Sequence, residues 1–340
     1  SSDSFENMKI GFLVNPNCAI TGMSNGILKQ ATVWAEGLRA LGYEVDFIGP
    51  SQDGVIRRIR EYDVVHFFQH GHWLKGFPAS VRHSQKWFFS PILDSTASIP
   101  LYAALAKIPV EHYLVSFGPR LLRNFSMNAT VSVRSRHEKE YMSAIAPKAK
   151  IEHNYIALTL EDGVSMKPST DLPQQFALFV GNIAAERKNV YRLIKACDQA
   201  GIPLVLAGIE VDCAEMRRIK KCIEGARIHV LRLGFVSKEE LRWLYGNCSV
   251  FCLPSIVEGV GQVGMEALYF GAPVVVTEVG GPPDYYGKYA DYVNPNSVTS
   301  IERGICSALN RKITLSLVRE HLQQFSIQNT AQNLLDSYNK

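Results

Sequence analysis

Apolar positions along the chain fall into two alternating patterns. Short continuous runs, "MKIGFLV" from Met8, "YEVDFIG", "DVVHFF", "KWFFSPI" and "HYLVSF", have the length of buried strands. Between the first two, "ILKQATVWAEGLRALG" carries its apolar residues at helical spacing and ends at Gly42, a residue suited to leaving a helix. "DGVIRRIREY" reads as a second helix, and "ATVSVRS" leads into a helical "RHEKEYMSAIA". Strand, helix and strand at this spacing predict parallel strands joined by crossover helices.

The alternation stops at "YIALTLEDGVSMKPSTDLPQQ", which is polar and weakly periodic, holds two prolines, and predicts a linker. It then restarts. "FALFVGN", "PLVLAG", "IHVLRLG", "SVFCLPS" and "PVVVTE" read as strands, with "DYVNP" a short one. "VYRLIKACDQAG", "CAEMRRIKKCIEG", "KEELRWLYGNC" and "GMEALYFG" read as helices, and Ser237 with Glu240 three residues on predicts a capping box. The expected fold class is α/β: two Rossmann-like doubly wound domains, residues 1–160 and 161–325, facing a cleft. Ligands of such sheets sit outside the carboxyl ends of the strands, so the cleft is the expected site.

Composition agrees with this division. A length of 340 residues is roughly twice that of one ordinary domain. Apolar residues make up 46% and charged residues 20%, as in a globular protein. No run reaches the ~18 apolar residues of a membrane span. The N-terminus lacks the basic-then-apolar pattern of a leader, and "SSDSFEN" reads as a frayed end. Seven cysteines, an odd number without a CxxC, favour reduced thiols and a cytoplasmic protein. Residues 1–160 hold 17 Lys+Arg against 13 Asp+Glu and seven of the nine histidines, whereas the rest is balanced at 19 of each. That asymmetry suggests an anionic partner or surface for the first half.

The densest chemistry is "SIVEGVGQVGMEAL", residues 255–268, at the carboxyl end of the "SVFCLPS" strand. Gly259, Gly261 and Gly264 let the backbone approach a ligand closely and free amides for phosphate oxygens. A helix expected to begin near Gly264 adds its positive N-terminus, with Glu266 in the first turn and Glu258 in the loop. Carboxylates bind phosphate poorly but accept well from paired sugar hydroxyls. A ligand with phosphate and hydroxyls on either side of it is a nucleotide sugar. "VGNIAAERKNVYRLIKA" supplies the cations: Gly181 ends a strand, and Arg187 and Lys188 precede a helix.

From Phe176 to Tyr338 these phrases, in this order, resemble the donor domain of the retaining glycosyltransferases of family 4, the glycosyl transferases group 1, with Glu258 and Glu266 as their E-x7-E motif. The first half matches loosely, through "DVVH" and "GMSNG". The resemblance implies a GT-B fold, with residues 326–340 as a closing helix that returns to the first domain. It implies that Glu258 holds donor hexose hydroxyls, Glu266 the ribose, and Arg187 and Lys188 the diphosphate. Gly181, Gly261, Gln262 and Val263 would line the donor, the backbone at Leu233, Gly234 and Phe235 would meet the nucleobase, and Gly22 or Gly26 would close over it from the first domain. Val260 and Gln262 depart from the family's usual Phe and Leu. The implied reaction is retaining transfer of a hexose from a UDP- or GDP-linked sugar to a glycan or glycolipid hydroxyl, with no metal and no other cofactor. A nucleotide-sugar epimerase, or a non-catalytic partner subunit that binds the sugar nucleotide, is the alternative.

The family's first-domain histidine is absent from "FFSPILDS", where Asp94 is the nearest group suited to a hydroxyl. Asp94 reads equally as the N-cap of a helix over "STASIPLYAALAK". His66, His70 and His72 are the other candidates, as acceptor-site or as packed residues; their spacing suggests a metal, but no further ligand pattern supports one. "HWLKGFPASVRHSQKWFF" sets Lys75, Arg82 and Lys86 among Trp73, Phe77, Trp87 and Phe88, a mixture suited to a headgroup layer at the inner face of a membrane or to a loop and core strand. The sheet architecture and the lack of a basic stripe argue against nucleic acid.

Overall fold

A computed structural model describes residues 8–14, 26–48, 58–71, 73–74, 77, 86–108 and 119–340. They form two compact units, residues 1–159 with 323–340 and residues 160–322.

The first unit is built on β1 (Lys9–Val14), β2 (Glu44–Phe47), β3 (Val64–Phe68), β4 (Lys86–Ser90), β5 (Thr130–Val133) and β6 (Ile151–His153), all parallel in the order β2-β1-β3-β4-β5-β6. Its helices are α1 (Gly26–Ala40), α2 (Ile99–Leu105), α3 (Pro119–Ser126), α4 (Arg136–Ile145) and, from the chain's end, α12 (Ile327–Asn339). Central β3 is buried at every position, as a strand covered on both faces must be, while edge strand β2 is buried at one. The pattern reading missed β6 and α3, short elements without a full period. "HYLVSF" lies outside the described residues. So does most of "DGVIRRIREY", of which Arg58 and Ile59 are helical before a turn.

Two readings left open in this half are decided. Phe77, Trp87 and Phe88 are core residues, not a membrane-facing belt, and Lys86 donates to the Tyr338 carbonyl at 2.9 Å. Rings stack inward because β4 is internal; Lys75 and Arg82 lie outside the described residues. His66 is fully buried, so it is not an acceptor-site group. Its Nδ1 is 2.6 Å from the Tyr338 hydroxyl of α12 and its Nε2 is 2.8 Å from Ser90 Oγ. One ring nitrogen donates and the other accepts, which satisfies a neutral imidazole. A glycine in α1 lets α12 come close: a Cβ on Gly37 would lie 2.6 Å from the Ala331 Cβ.

The second unit carries β7 (Ala177–Val180), β8 (Leu204–Ala207), β9 (Val230–Gly234), β10 (Val250–Leu253), β11 (Val274–Thr277) and β12 (Ala290–Val293), again all parallel, in the order β12-β11-β10-β7-β8-β9. The connecting helices are α5 (Val190–Ala200), α6 (Ala214–Glu224), α7 (Lys238–Asn247), α8 (Gln262–Tyr269), α9 (Pro282–Tyr286), α10 (Val298–Leu309) and α11 (Leu315–Gln323). The expected capping box opens α7: Ser237 Oγ accepts from Glu240 N, and the Glu240 carboxylate accepts from Ser237 N. Helix α8 starts at Gln262, earlier than expected, because Gly261 takes the left-handed conformation (φ 79°) and turns the chain into it. Glu266 therefore stands in the second turn, not the first.

Burial holds the His66 pKa down at about 3, against an ordinary 6.5. The folded imidazole stays neutral where the unfolded one takes up a proton. Stability is thus fully present above about pH 6.5 and is lost as pH falls toward 3, by roughly 1.4 kcal/mol per pH unit. Between pH 7 and 5 the loss from this group is about 2 kcal/mol. Urea titrations should find that loss reduced by about as much in His66→Asn; an equal loss in both would remove His66 as its source.

Candidate active site

In the second unit the strand order reverses between β7 and β10, since β8 and β9 extend one way and β11 and β12 the other. Loops leaving two such strands splay apart and open a crevice at their carboxyl ends. One loop carries Arg187 and Lys188 in a single 3-10 turn, the other carries Glu258. Lys188 Nζ donates to Glu258 Oε2 at 2.7 Å, Ser255 Oγ donates to the same oxygen at 2.9 Å, and Arg187 lies 3.7 Å from Oε1. Glu258 is only 8% exposed, so its charge depends on these partners. Arg187 remains 55% exposed at its side chain.

The loop backbones are pinned with little clearance. The Gly281 amide donates to the Glu258 carbonyl at 3.0 Å, and a Cβ on Gly280 (φ 105°) would lie 2.0 Å from that carbonyl oxygen. A Cβ on Gly208 (φ 137°), just after β8, would lie 1.9 Å from the Gly181 carbonyl oxygen. Only glycine fits at either place. Asn189 fastens the two loops to each other: its Nδ2 donates to the Pro254 and Pro295 carbonyls, both at 2.8 Å, from a left-handed backbone (φ 61°).

Helix α8 then points its N-terminus from the same loop. Gln262 and Val263, its first two residues, have amides with no intrahelical acceptor. Tyr286 supports this turn, donating to the Gly261 carbonyl at 2.5 Å. Glu266 accepts from the Tyr245 hydroxyl of α7 at 3.1 Å. Burial, and then the neighbouring carboxylate, raise both tyrosine pKa values well above the usual range, so both phenols stay protonated donors. Beyond β8 and β9, Gly208, Glu210, Arg232, Gly234 and Phe235 line a cavity of about 680 Å³, with Phe235 87% exposed.

The first-unit candidates behave differently. Asp94 is not a helix cap: Ser98 is the N-cap residue of α2, and Asp94 accepts from Arg134 at 2.7 Å. Arg134 also meets buried Glu138, which accepts from the amides of Leu93 and Arg134. His70 is buried with Nδ1 2.7 Å from the Pro91 carbonyl. Gly26 opens α1 with nothing within 4 Å of a would-be Cβ. Gly22 and His72 lie outside the described residues. Among the described residues no three His, Cys, Asp or Glu side chains are grouped to hold a metal, the six described cysteines are free, and no helix is long and apolar enough to cross a membrane.

Sequence reasoning missed Ser255, Asn189, Gly208, Gly280, Tyr245 and Tyr286. Gly208 was readable, since it follows "PLVLA" as Gly181 follows "FALFV". Asn189 was not, because its two acceptors lie 65 and 106 residues away.

Residues 165–329 match the family model of the glycosyl transferases group 1. The match takes in 165 of the 340 residues, nearly all of the second unit, and makes that region similar to the glycosyl transferases group 1. The chain is 29% identical over 189 residues to a serotype-specific mannosyltransferase WbdA of Escherichia coli, covering 52% of this chain and 23% of that protein. It is 29% identical over 178 residues to the O-antigen chain mannosyltransferase B of Escherichia coli, covering 48% and 46%. The chain thus spans less than a quarter of the first relative and under half of the second. In fold it resembles a sucrose-phosphate synthase from Thermosynechococcus elongatus (TM-score 0.72, 18% identity, 97% and 98% of the two chains) and Anabaena HepE in complex with UDP and glucose (TM-score 0.70, 16% identity, 98% and 100%). The two six-stranded parallel sheets are the Rossmann-like units of the GT-B fold.

Asn189→Ala removes two buried hydrogen bonds and puts alanine in a left-handed conformation. A loss of roughly 2–4 kcal/mol is expected. Urea unfolding should register it; a loss below about 0.5 kcal/mol, the scale of an ordinary surface change, would mean the clamp is idle.

Proposed function

We propose that this chain is a retaining glycosyltransferase that moves a hexose from a UDP- or GDP-linked sugar to a hydroxyl of a glycan or glycolipid. One observation carries the reading: a buried carboxylate and two cations meet where the strand order reverses, beside the N-terminus of α8. Lys188 and Arg187 both face the Glu258 carboxylate there. A ligand bearing a diphosphate beside sugar hydroxyls offers each of them a new partner of the right sign. The names of the Escherichia coli relatives make mannose the first hexose to test, and the ligands of HepE make UDP the first nucleotide.

On this reading Arg187, Lys188 and the amides of Gln262 and Val263 take the diphosphate. Glu258 takes hexose hydroxyls, Glu266 takes the ribose with Tyr245 orienting it, and the backbone at Leu233 to Phe235 takes the base. Asp94, held by Arg134, orients the acceptor hydroxyl. That oxygen attacks the anomeric carbon on the face the diphosphate leaves. The carbon–oxygen bond to the diphosphate breaks, and the hydroxyl proton passes to the departing phosphate oxygen. No protein base is then needed. The cations and helix amides stabilise the growing negative charge, so the reaction requires no metal.

Glu266→Ala should weaken free-nucleotide binding about 10- to 100-fold, since two hydroxyls lose a charged acceptor worth ~1.5–3 kcal/mol. Glu258→Ala should leave that affinity within about three-fold and lower turnover instead. Calorimetry and steady-state rates decide, and equal nucleotide loss in both variants would overturn the division of roles. The product's anomeric configuration, read by NMR, should match the donor's; inversion would overturn the retaining reading.

A further inference from the structure

A second cavity, of about 550 Å³, lies between α5 and α6. Both helices start at the carboxyl edge of the sheet, and the cavity runs along them from Tyr191, in the first turn of α5, and Arg218, in the second turn of α6, to Arg227 beyond α6. Neither Lys188 nor Glu258 lines it. Its volume falls in the range of small-molecule sites.

The lining is strongly cationic. Lys195, Arg218, Lys221 and Arg227 surround it, and Asp198 is the one carboxylate among the lining residues. That carboxylate is already engaged, by Arg227 Nε at 3.2 Å and by the amides of Arg227 and Ile228 at 2.7 and 3.3 Å. Arg218 pairs with Glu215 at 3.3 Å and keeps about half of its side chain exposed. Among the described residues Lys195 and Lys221 form no ion pair with a carboxylate. Helix-end electrostatics favour a cation in the last turn, which accounts for Lys221 but not for Arg218, the fifth residue of α6, or for Lys195 in mid-helix.

Tyr191 organises the cations. The Arg218 guanidinium carbon sits 3.7 Å from its ring centroid and Lys195 Nζ 4.4 Å from it. Holding two like charges on one ring opposes their repulsion and keeps both heads beside the cavity. An arginine fork and lysine point charges around a cavity of this size match phosphate oxygens.

We propose that the α5–α6 groove binds a phosphate-bearing ligand through Lys195, Arg218 and Lys221. The test uses inorganic pyrophosphate as the probe, in an Arg187→Ala, Lys188→Ala background so that the diphosphate position of the candidate active site does not contribute. Calorimetry should detect salt-sensitive pyrophosphate binding there. Adding Lys195→Gln and Lys221→Gln should weaken it by about ten-fold or more. In the otherwise native chain the same two substitutions should leave UDP and GDP affinities unchanged, which separates this groove from the nucleotide reading. A parallel arm measures sedimentation with phosphatidylglycerol–phosphatidylcholine vesicles against phosphatidylcholine alone. Sensitivity to the two substitutions in the vesicle arm only would assign the phosphate to a lipid headgroup; sensitivity in the pyrophosphate arm only would assign it to a free ligand. If neither pyrophosphate nor vesicle binding responds to the loss of Lys195 and Lys221, the proposal is overturned.

Discussion

A carboxylate buried as deeply as Glu258 is stable as an anion only if positive and hydrogen-bonding groups are built around it. Lys188, Arg187 and Ser255 meet that need, and they arrive from two different loops. The loops meet because β7 and β10 are neighbours in the sheet although 69 residues separate the end of one from the start of the other. Much of the second unit reads as support for this junction. Asn189 ties the loops, Gly280 lets the backbone of Glu258 approach the next turn, and Tyr286 holds the start of α8. The charges that neutralise one another there have the signs that the proposed sugar diphosphate calls for. That economy connects the stability of the junction to its proposed chemistry.

Backbone conformation at the strand ends follows the same logic. Every positive-φ residue other than glycine among the described residues, Gln69, Ile92 and Asn189, lies within a few residues after a strand or its loop at the carboxyl edge of a sheet. Ile92 is the most demanding, because a β-branched side chain crowds its own backbone in that region. Glu138 holds the adjoining residue in place through the Leu93 amide and holds Arg134 as well, which in turn holds Asp94. The first unit therefore concentrates strain and charge at one edge, as the second does.

In the first unit the buried polar chain Ser90–His66–Tyr338 joins a central strand pair to the last helix of the sequence. Each buried polar atom here has a partner, and removing one member would strand the others. Tyr338 also packs edge-on against Phe88 at 4.6 Å, so the C-terminal helix is fastened by both apolar and polar contacts.

Alternating short apolar runs and helical periods were enough to read two α/β units, because parallel strands buried on both faces need nearly continuous apolar sequence. The Ser237–Glu240 cap and the Gly42 helix exit were legible for the same kind of reason, since their partners lie within a few residues. Glu258, Glu266, Arg187 and Lys188 could be picked out as candidates because glycines and charges are conspicuous beside strand ends. What they touch was not legible. The pairing of Lys188 with Glu258, the Asn189 clamp, the Tyr245 bond to Glu266 and the burial of His66 against Tyr338 join residues 21 to 272 positions apart. Such contacts are set by strand order and helix packing, which local propensity does not encode. The same holds for Trp87 and Phe88, which the sequence left open between a headgroup-facing mixture and a core strand; the place of β4 between β3 and β5 makes them core.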